Sequence, residues 1–173
     1  MSFKINVDMS DAKARSLQAK KGLLRARKIG ARLMDKRNDF TGCSSALITW
    51  EVVSGPQAGA QFGTFHSLPD SDHMDPDKRD KANAKAKSDW VSVLLSTGMT
   101  LEEVRSKKGV DSDHLDDLIV HVDYTPRDQE GKVKASSTWL TPSQFELRES
   151  SQALHASTER PAEFPGDMGD VPF

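Results

Sequence analysis

Arg25, Arg27, Lys28, Arg32, Lys36 and Arg37 place six cations within thirteen residues, interleaved with apolar side chains from Leu23 onward. Cations in such a row can follow a polyanionic chain, each neutralising one anionic group. Lys132 and Lys134 form a second, smaller cluster late in the chain. A single strand of nucleic acid needs flat side chains as well, on which exposed bases stack, each worth about 1–3 kcal/mol. Phe62, Phe65 and Trp139 are the candidates for that role. Parity separates them from the rest: Trp50 shares a face with Ala46, Ile48 and Val52, and Tyr124 with Val120 and Val122, which predicts core positions. Trp90 falls on the apolar face of a helix. Phe62 and Phe65 have opposite parity, so at most one of them fits a core without a bulge.

The charge is unevenly spread. Net −2 divides into +7 over residues 1–40, −5 over 41–145 and −4 over 146–173. A basic leading part suits an anionic ligand, and an acidic tail suits a different partner. That tail ends in Asp170-Val171-Pro172-Phe173, preceded by Asp167. A terminal Phe173 would offer a ring and a carboxylate together, and Pro172 lowers the cost of ordering the backbone before it. An apolar hole rimmed by Arg or Lys would recognise this end.

Catalytic chemistry has little support. His66, Asp70, Asp72, His73, Asp75 and Asp77 crowd one loop, but their spacing matches no familiar metal loop. No phosphate-cradling glycine loop or nucleophile elbow occurs. One cysteine, Cys43, excludes an internal disulfide and a Cys-based zinc site. No apolar run reaches the ~20 residues of a membrane span, and the first residues lack a secretory pattern. The expectation is a non-enzymatic cytoplasmic protein with neither metal nor cofactor.

The elements that must hold these residues follow from periodicity. Residues 1–22 form a leader in which Ser10 caps a short helix ended by Gly22. The basic stretch reads as a long strand with a bulge or bend at Gly30. Residues 45–54 are the clearest strand, Gly55 to Gly59 a turn, and residues 60–66 a third strand. Asp75-Pro76 starts a helix closed at Gly98, and Thr100-Leu101-Glu102-Glu103 starts a second with a capping box. Strands at 118–125 and 132–140 complete the set, and residues 149–170 have the composition of a disordered tail. Three strands, a helical connection and two strands predict a mainly β fold: a five-stranded OB-type barrel over residues 23–145, with its helix between strands three and four. On that plan the first and last strands lie side by side and their cations merge. Residues 146–173 follow as a flexible acidic tail.

Two resemblances enter on these residues. The end Asp-Met-Gly-Asp-Val-Pro-Phe resembles the acidic tip of bacterial single-stranded DNA-binding proteins, although its acids are sparser. The body, from Ala46-Leu-Ile-Thr-Trp-Glu-Val-Val-Ser-Gly through Gly59-Ala-Gln-Phe to the strand at Leu118, looks like a family of phage single-stranded DNA-binding proteins. The resemblance implies a protein that coats single-stranded DNA in phage replication, recombination and repair inside a bacterial host. It implies recruitment of replication and recombination proteins through Asp167, Asp170, Val171, Pro172 and Phe173; the sequence itself leaves a homodimer open. Two other classes stay open: a module that modulates a host replication factor without touching DNA, and a metal-dependent nuclease built on the His66–Asp77 loop.

Overall fold

The computed structural model describes residues 17–128 and 130–158. Their fold is mainly β: five antiparallel strands curled into a half-barrel, with three helices. The strands are β1 (Gly22–Leu33), β2 (Ser45–Val52), β3 (Gln61–Ser67), β4 (Ile119–Thr125) and β5 (Ser136–Trp139). The helices are α1 (Pro76–Leu95), α2 (Leu101–Ser106) and α3 (Pro142–Thr158), with a 3-10 turn at Ser112–Leu115.

The strand order is β3-β2-β1-β4-β5. The long β1 pairs with β2 along its second half and with β4 along its first. The expected bulge is present. The β1–β2 register shifts between Lys28 and Gly30, leaving Ile29 over. Such an extra residue bends and twists its strand, which is how one long strand can serve two parts of a curled sheet.

Alternation fills the interior. Ile48, Trp50 and Val52 of β2, Ala26 of β1, and Val120 and Val122 of β4 are all essentially inaccessible, with Phe62 and Tyr124 beside them. α1 lies against both sheet edges, β3 and β5. It contributes Trp90, Val93 and Leu94 to the core, and the Trp90 indole N–H donates to the Ser67 carbonyl at 3.1 Å. Its start is the one predicted: the Asp75 carboxylate accepts from the amides of Asp77 and Lys78, with Pro76 in the first turn. The Thr100–Glu103 capping box also forms. Among the described residues no helix is long and apolar enough to cross a membrane.

Three expectations about the strands and the tail need correction. The first and last strands are not neighbours, because β4 lies between them. β5 is only four residues long, so Lys132 and Lys134 sit in the β4–β5 loop rather than on the strand. The chain after Phe145 does not lose structure at once, since α3 runs through Thr158. Its start was readable in Thr141-Pro142-Ser143-Gln144. The Thr141 hydroxyl accepts from the Gln144 amide at 3.3 Å, and the Gln144 side chain accepts from the Thr141 amide at 3.0 Å. That is a capping box with proline at the first helical position.

The leader differs too. Leu17 to Lys21 is not helical, and Gln18 is bridged in parallel to Gln61 of β3. The Ala19 amide donates to the Gln61 carbonyl at 2.9 Å, and Gln61 donates back to Leu17 at 2.6 Å. The Ser10 cap, and the tip residues Asp167, Asp170, Val171, Pro172 and Phe173, lie outside the described residues.

Candidate nucleic-acid interface

Because Ile48, Trp50 and Val52 point inward, Leu47, Thr49 and Glu51 must point outward. Register then fixes three rows across the outer face of β1, β2 and β3. Arg27 pairs with Glu51 and Glu51 with Gln61; Gly30 with Thr49 and Thr49 with Gly63; Arg32 with Leu47 and Leu47 with Phe65. The middle row has two glycines and one threonine, so it is a shallow trough of small residues, with the Leu47 side chain leaning over its Gly63 end. A Cβ added at Gly30 would meet nothing within 4 Å, whereas one at Gly63 would crowd Leu47 Cδ1 at 3.1 Å, with the Ile48 carbonyl oxygen at 3.8 Å. Glycines at such positions let another backbone or a flat ring approach closely.

Phe65 flanks this trough with 68% of its surface exposed, and Arg32 lies two strands away in the same row. Phe40, in the β1–β2 loop, is 88% exposed and follows Lys36 and Arg37 by a few residues. It is an aromatic that strand parity could not identify, since it lies in no strand.

The parity choice between the two phenylalanines is thereby made. Phe62 is buried, with its ring 4.5 Å from that of Tyr124 and 6.5 Å from that of Trp50. It has no face left for a base. Trp139 is half-buried, its ring 5.4 Å from Trp50 and 5.7 Å from His66. It borders the unclosed gap between β3 and β5, a cleft of about 610 Å³. Gly63 to His66 form one wall of that cleft, residues 135–139 another, and Lys85 and Asp89 of α1 overhang it.

His66 is fixed inside this wall. The Trp50 indole N–H donates to the Thr64 hydroxyl at 2.7 Å, and Thr64 lies 2.7 Å from His66 Nε2. A neutral imidazole satisfies this contact in either tautomer, because the hydroxyl can donate to Nε2 or accept from it while accepting from the indole. Burial pushes the His66 pKa down from 6.5 to about 4, so the neutral ring is the form at neutral pH.

The predicted cations divide by what holds them. Lys28 turns inward, only 10% of its side chain exposed, and ties the sheet to the 3-10 turn through the Ser112 carbonyl (2.8 Å) and the Asp116 carboxylate. Arg37 donates to the carbonyls of Gly42 and Asp70, both at 2.8 Å, and faces the carboxylates of Asp70 and Asp72. Arg25 grips α3: its guanidinium meets both oxygens of Glu149 at 2.9 and 3.1 Å and lies 4.4 Å above the Phe145 ring. The hydrogen bonds from Arg25 hold the Glu149 carboxyl below its ordinary pKa. Arg27 is bonded to Glu51 but largely exposed, and Lys132 pairs with Glu130. Arg32, Lys36 and Lys134 make no ion pair with the described residues. Of the predicted cations, these three, with Arg27, are the ones available on the sheet face and its loops.

The role of Arg25 can be measured. Arg25→Ala should lower stability by about 1 kcal/mol, since the ion pair is partly exposed and screened and the cation–π contact adds a similar small amount. Thermal melts should show that loss, and limited proteolysis should cut α3 sooner.

The acidic loop has structural duties. Asp70 and Asp72 face Arg37, Asp75 caps α1, and His66 is buried. For Asp70 burial would raise the pKa, but hydrogen bonds from Ser44 and the Arg37 charge outweigh it and hold the carboxyl low. Among the described residues no three His, Cys, Asp or Glu side chains come together as a metal site. Compared with known families and curated proteins, the chain matches no family model and no curated relative.

Proposed function

We propose that this protein binds single-stranded DNA, without catalysis, across the outer face of β1, β2 and β3. The observation that carries the reading is the small-residue Gly30–Thr49–Gly63 row beside the Arg32–Leu47–Phe65 row with its exposed ring and cation. A strand laid along the trough would stack a base on Phe65 and set phosphates against Arg32, Arg27 and Lys36. Phe40 and Lys134 would extend contacts into the β1–β2 and β4–β5 loops, the two loops with which OB-type barrels hold oligonucleotides.

The strand order β3-β2-β1-β4-β5, with α1 following β3, supports reading the half-barrel as OB-type. The resemblance to phage single-stranded DNA-binding proteins supports the same reading. It adds a role in replication or recombination within a bacterial host, with Asp167, Asp170 and Val171-Pro172-Phe173 recruiting partner proteins.

The double variant Arg32→Glu, Lys36→Glu tests the path of the strand. Each single-strand phosphate contact contributes about −0.7 to the slope of log K against log salt. Anisotropy titrations of labelled oligo-dT should show that slope shallower by about 1.4 in the variant. An unchanged slope would place the phosphates elsewhere.

A further inference from the structure

α1 carries a run of cations that the sheet face does not use. Lys78, Arg79, Lys81, Lys85 and Lys87 fall within ten residues, with Asp80 the one acid among them. None of the five makes an ion pair among the described residues. Helical spacing sorts them: Lys78, Lys81 and Lys85 share one stripe, which Asp89 and Ser92 continue, whereas Ala86, Trp90 and Val93 face the core. The three lysines are exposed and span two turns, ~10.5 Å of helix.

This stripe overhangs the gap between β3 and β5. Lys85 and Ser92 line the cleft of about 610 Å³ there, together with Phe65 of β3 and Trp139 of β5. Phe65 thus belongs to two surfaces, the outer face of the sheet and one wall of the cleft. The strand edges are open as well. Gln61 bonds outward to Leu17 and Ala19, so by alternation Gly63 and Phe65 turn their amides and carbonyls to the same edge. Across the gap the Leu140 amide donates to His121 of β4, which leaves Ser137 and Trp139 facing the cleft. β3 and β5 end the sheet among the described residues, so these backbone groups are free to meet base edges. A row of cations, an open sheet edge and an indole wall fit phosphates outside and a base within.

We propose that the single strand does not end on the sheet face. It turns over β3 at Phe65 into the cleft, seats a base against Trp139, and leaves along Lys85, Lys81 and Lys78. The inference rests on the single-strand reading of the outer face and extends its path onto α1. Asp89, one turn beyond Lys85, repels phosphate, so the backbone leaves on the Lys85 side and the carboxylate accepts a hydrogen bond from the base. The consequence is a site longer than the sheet face, filled only by strands that extend past Phe65.

Dependence on strand length tests this. Anisotropy titrations use labelled oligo-dT of about 6 and about 16 nucleotides, within the range for one OB fold. They compare wild type with Lys81→Glu/Lys85→Glu and with Arg105→Glu/Lys107→Glu, an equal charge change on exposed residues beside α2. On the long oligonucleotide the slope of log K against log salt should be shallower by about 1.4 in Lys81→Glu/Lys85→Glu, at about 0.7 per phosphate contact, and unchanged in the other variant. On the short one both variants should match wild type. Photocrosslinking of the long oligonucleotide, with iodouracil in place of single thymines, should join Trp139 as well as Phe65. A wild-type slope in Lys81→Glu/Lys85→Glu, an equal fall in the charge-matched variant or on the short oligonucleotide, or a crosslink to Phe65 alone would overturn the path over α1 and leave the sheet-face reading standing. Failure of wild type to bind the long oligonucleotide would instead sink the sheet-face reading, and this path with it.

Discussion

Phe62→Ala is expected to cost about 3–5 kcal/mol of stability, while Phe65→Ala, three residues along the same strand, costs almost none and instead weakens DNA binding. The two rings occupy opposite faces of β3. Phe62 lies in the core against Tyr124 and Trp50, with 3% of its surface exposed. Its removal leaves a cavity that rigid neighbours cannot collapse into, the situation in which loss of a large aromatic is most costly. Phe65 has 68% exposed and touches the core little. If a base stacks there, its loss removes about 1–3 kcal/mol of binding, roughly a 5- to 150-fold weaker Kd. Phe62→Leu, a milder change of about 1 kcal/mol, keeps the comparison usable should Phe62→Ala fail to fold. Denaturant melts and oligo-dT titrations on the three variants should therefore give a crossed pattern. Equal losses of affinity in Phe62→Leu and Phe65→Ala would remove the outer-face assignment.

A second large effect is set by pH. His66 titrates at about 4 in the folded protein, against 6.5 when unburied, because burial penalises the charged ring. The unfolded chain therefore binds more protons between these values, and stability rises with pH across that window. Stability from the neutral ring is complete above pH 6.5 and is lost as pH falls toward 4. A shift of this size corresponds to about 3 kcal/mol at the acid end. Carboxylates held low, such as Asp70 and Glu149, also lose their contribution in acid, but at lower pH. His66→Gln keeps an acceptor for Thr64 and removes the titration. The difference between wild-type and variant unfolding free energies should slope by up to ~1.4 kcal/mol per pH unit between pH 6.5 and 4 and be flat above. Parallel curves would mean that His66 is not the neutral, buried group described.

Much of this architecture was legible because local signals and packing agreed. Gly30 marked the bulge in β1, Asp75-Pro76 the start of α1, and Thr100 to Glu103 the start of α2. Parity placed Trp50 and Tyr124 inside, and the helical spacing did so for Trp90. What failed was information carried by pairing across the sheet. Nothing in the spacing of Lys132 or Lys134 says that β4 separates them from β1, or that their strand starts only at Ser136. Partners for Lys28, Arg25 and Arg37 came from residues 84, 124 and 33 positions away, so a run of cations that reads as one patch divides into structural and available members. The outer-face trough was hidden for the same reason, since Gly30, Thr49 and Gly63 are unremarkable until register aligns them. α3 is different. Its capping box at Thr141 was present in the sequence, and the Ser- and Glu-rich composition after it masked a helix held by Phe145, Glu149 and a bond from Arg148 to Asp123.

The central claim is that the face of β1, β2 and β3 holds a single strand by stacking and by phosphate contact. Parallel titrations of labelled oligo-dT, the matching duplex and the matching RNA, repeated from low to moderate salt, test it most directly. Tight binding of oligo-dT that weakens log-linearly with salt, with the duplex bound much less well, is the predicted result. No binding of oligo-dT at low salt, or equal binding of duplex and single strand, would contradict it.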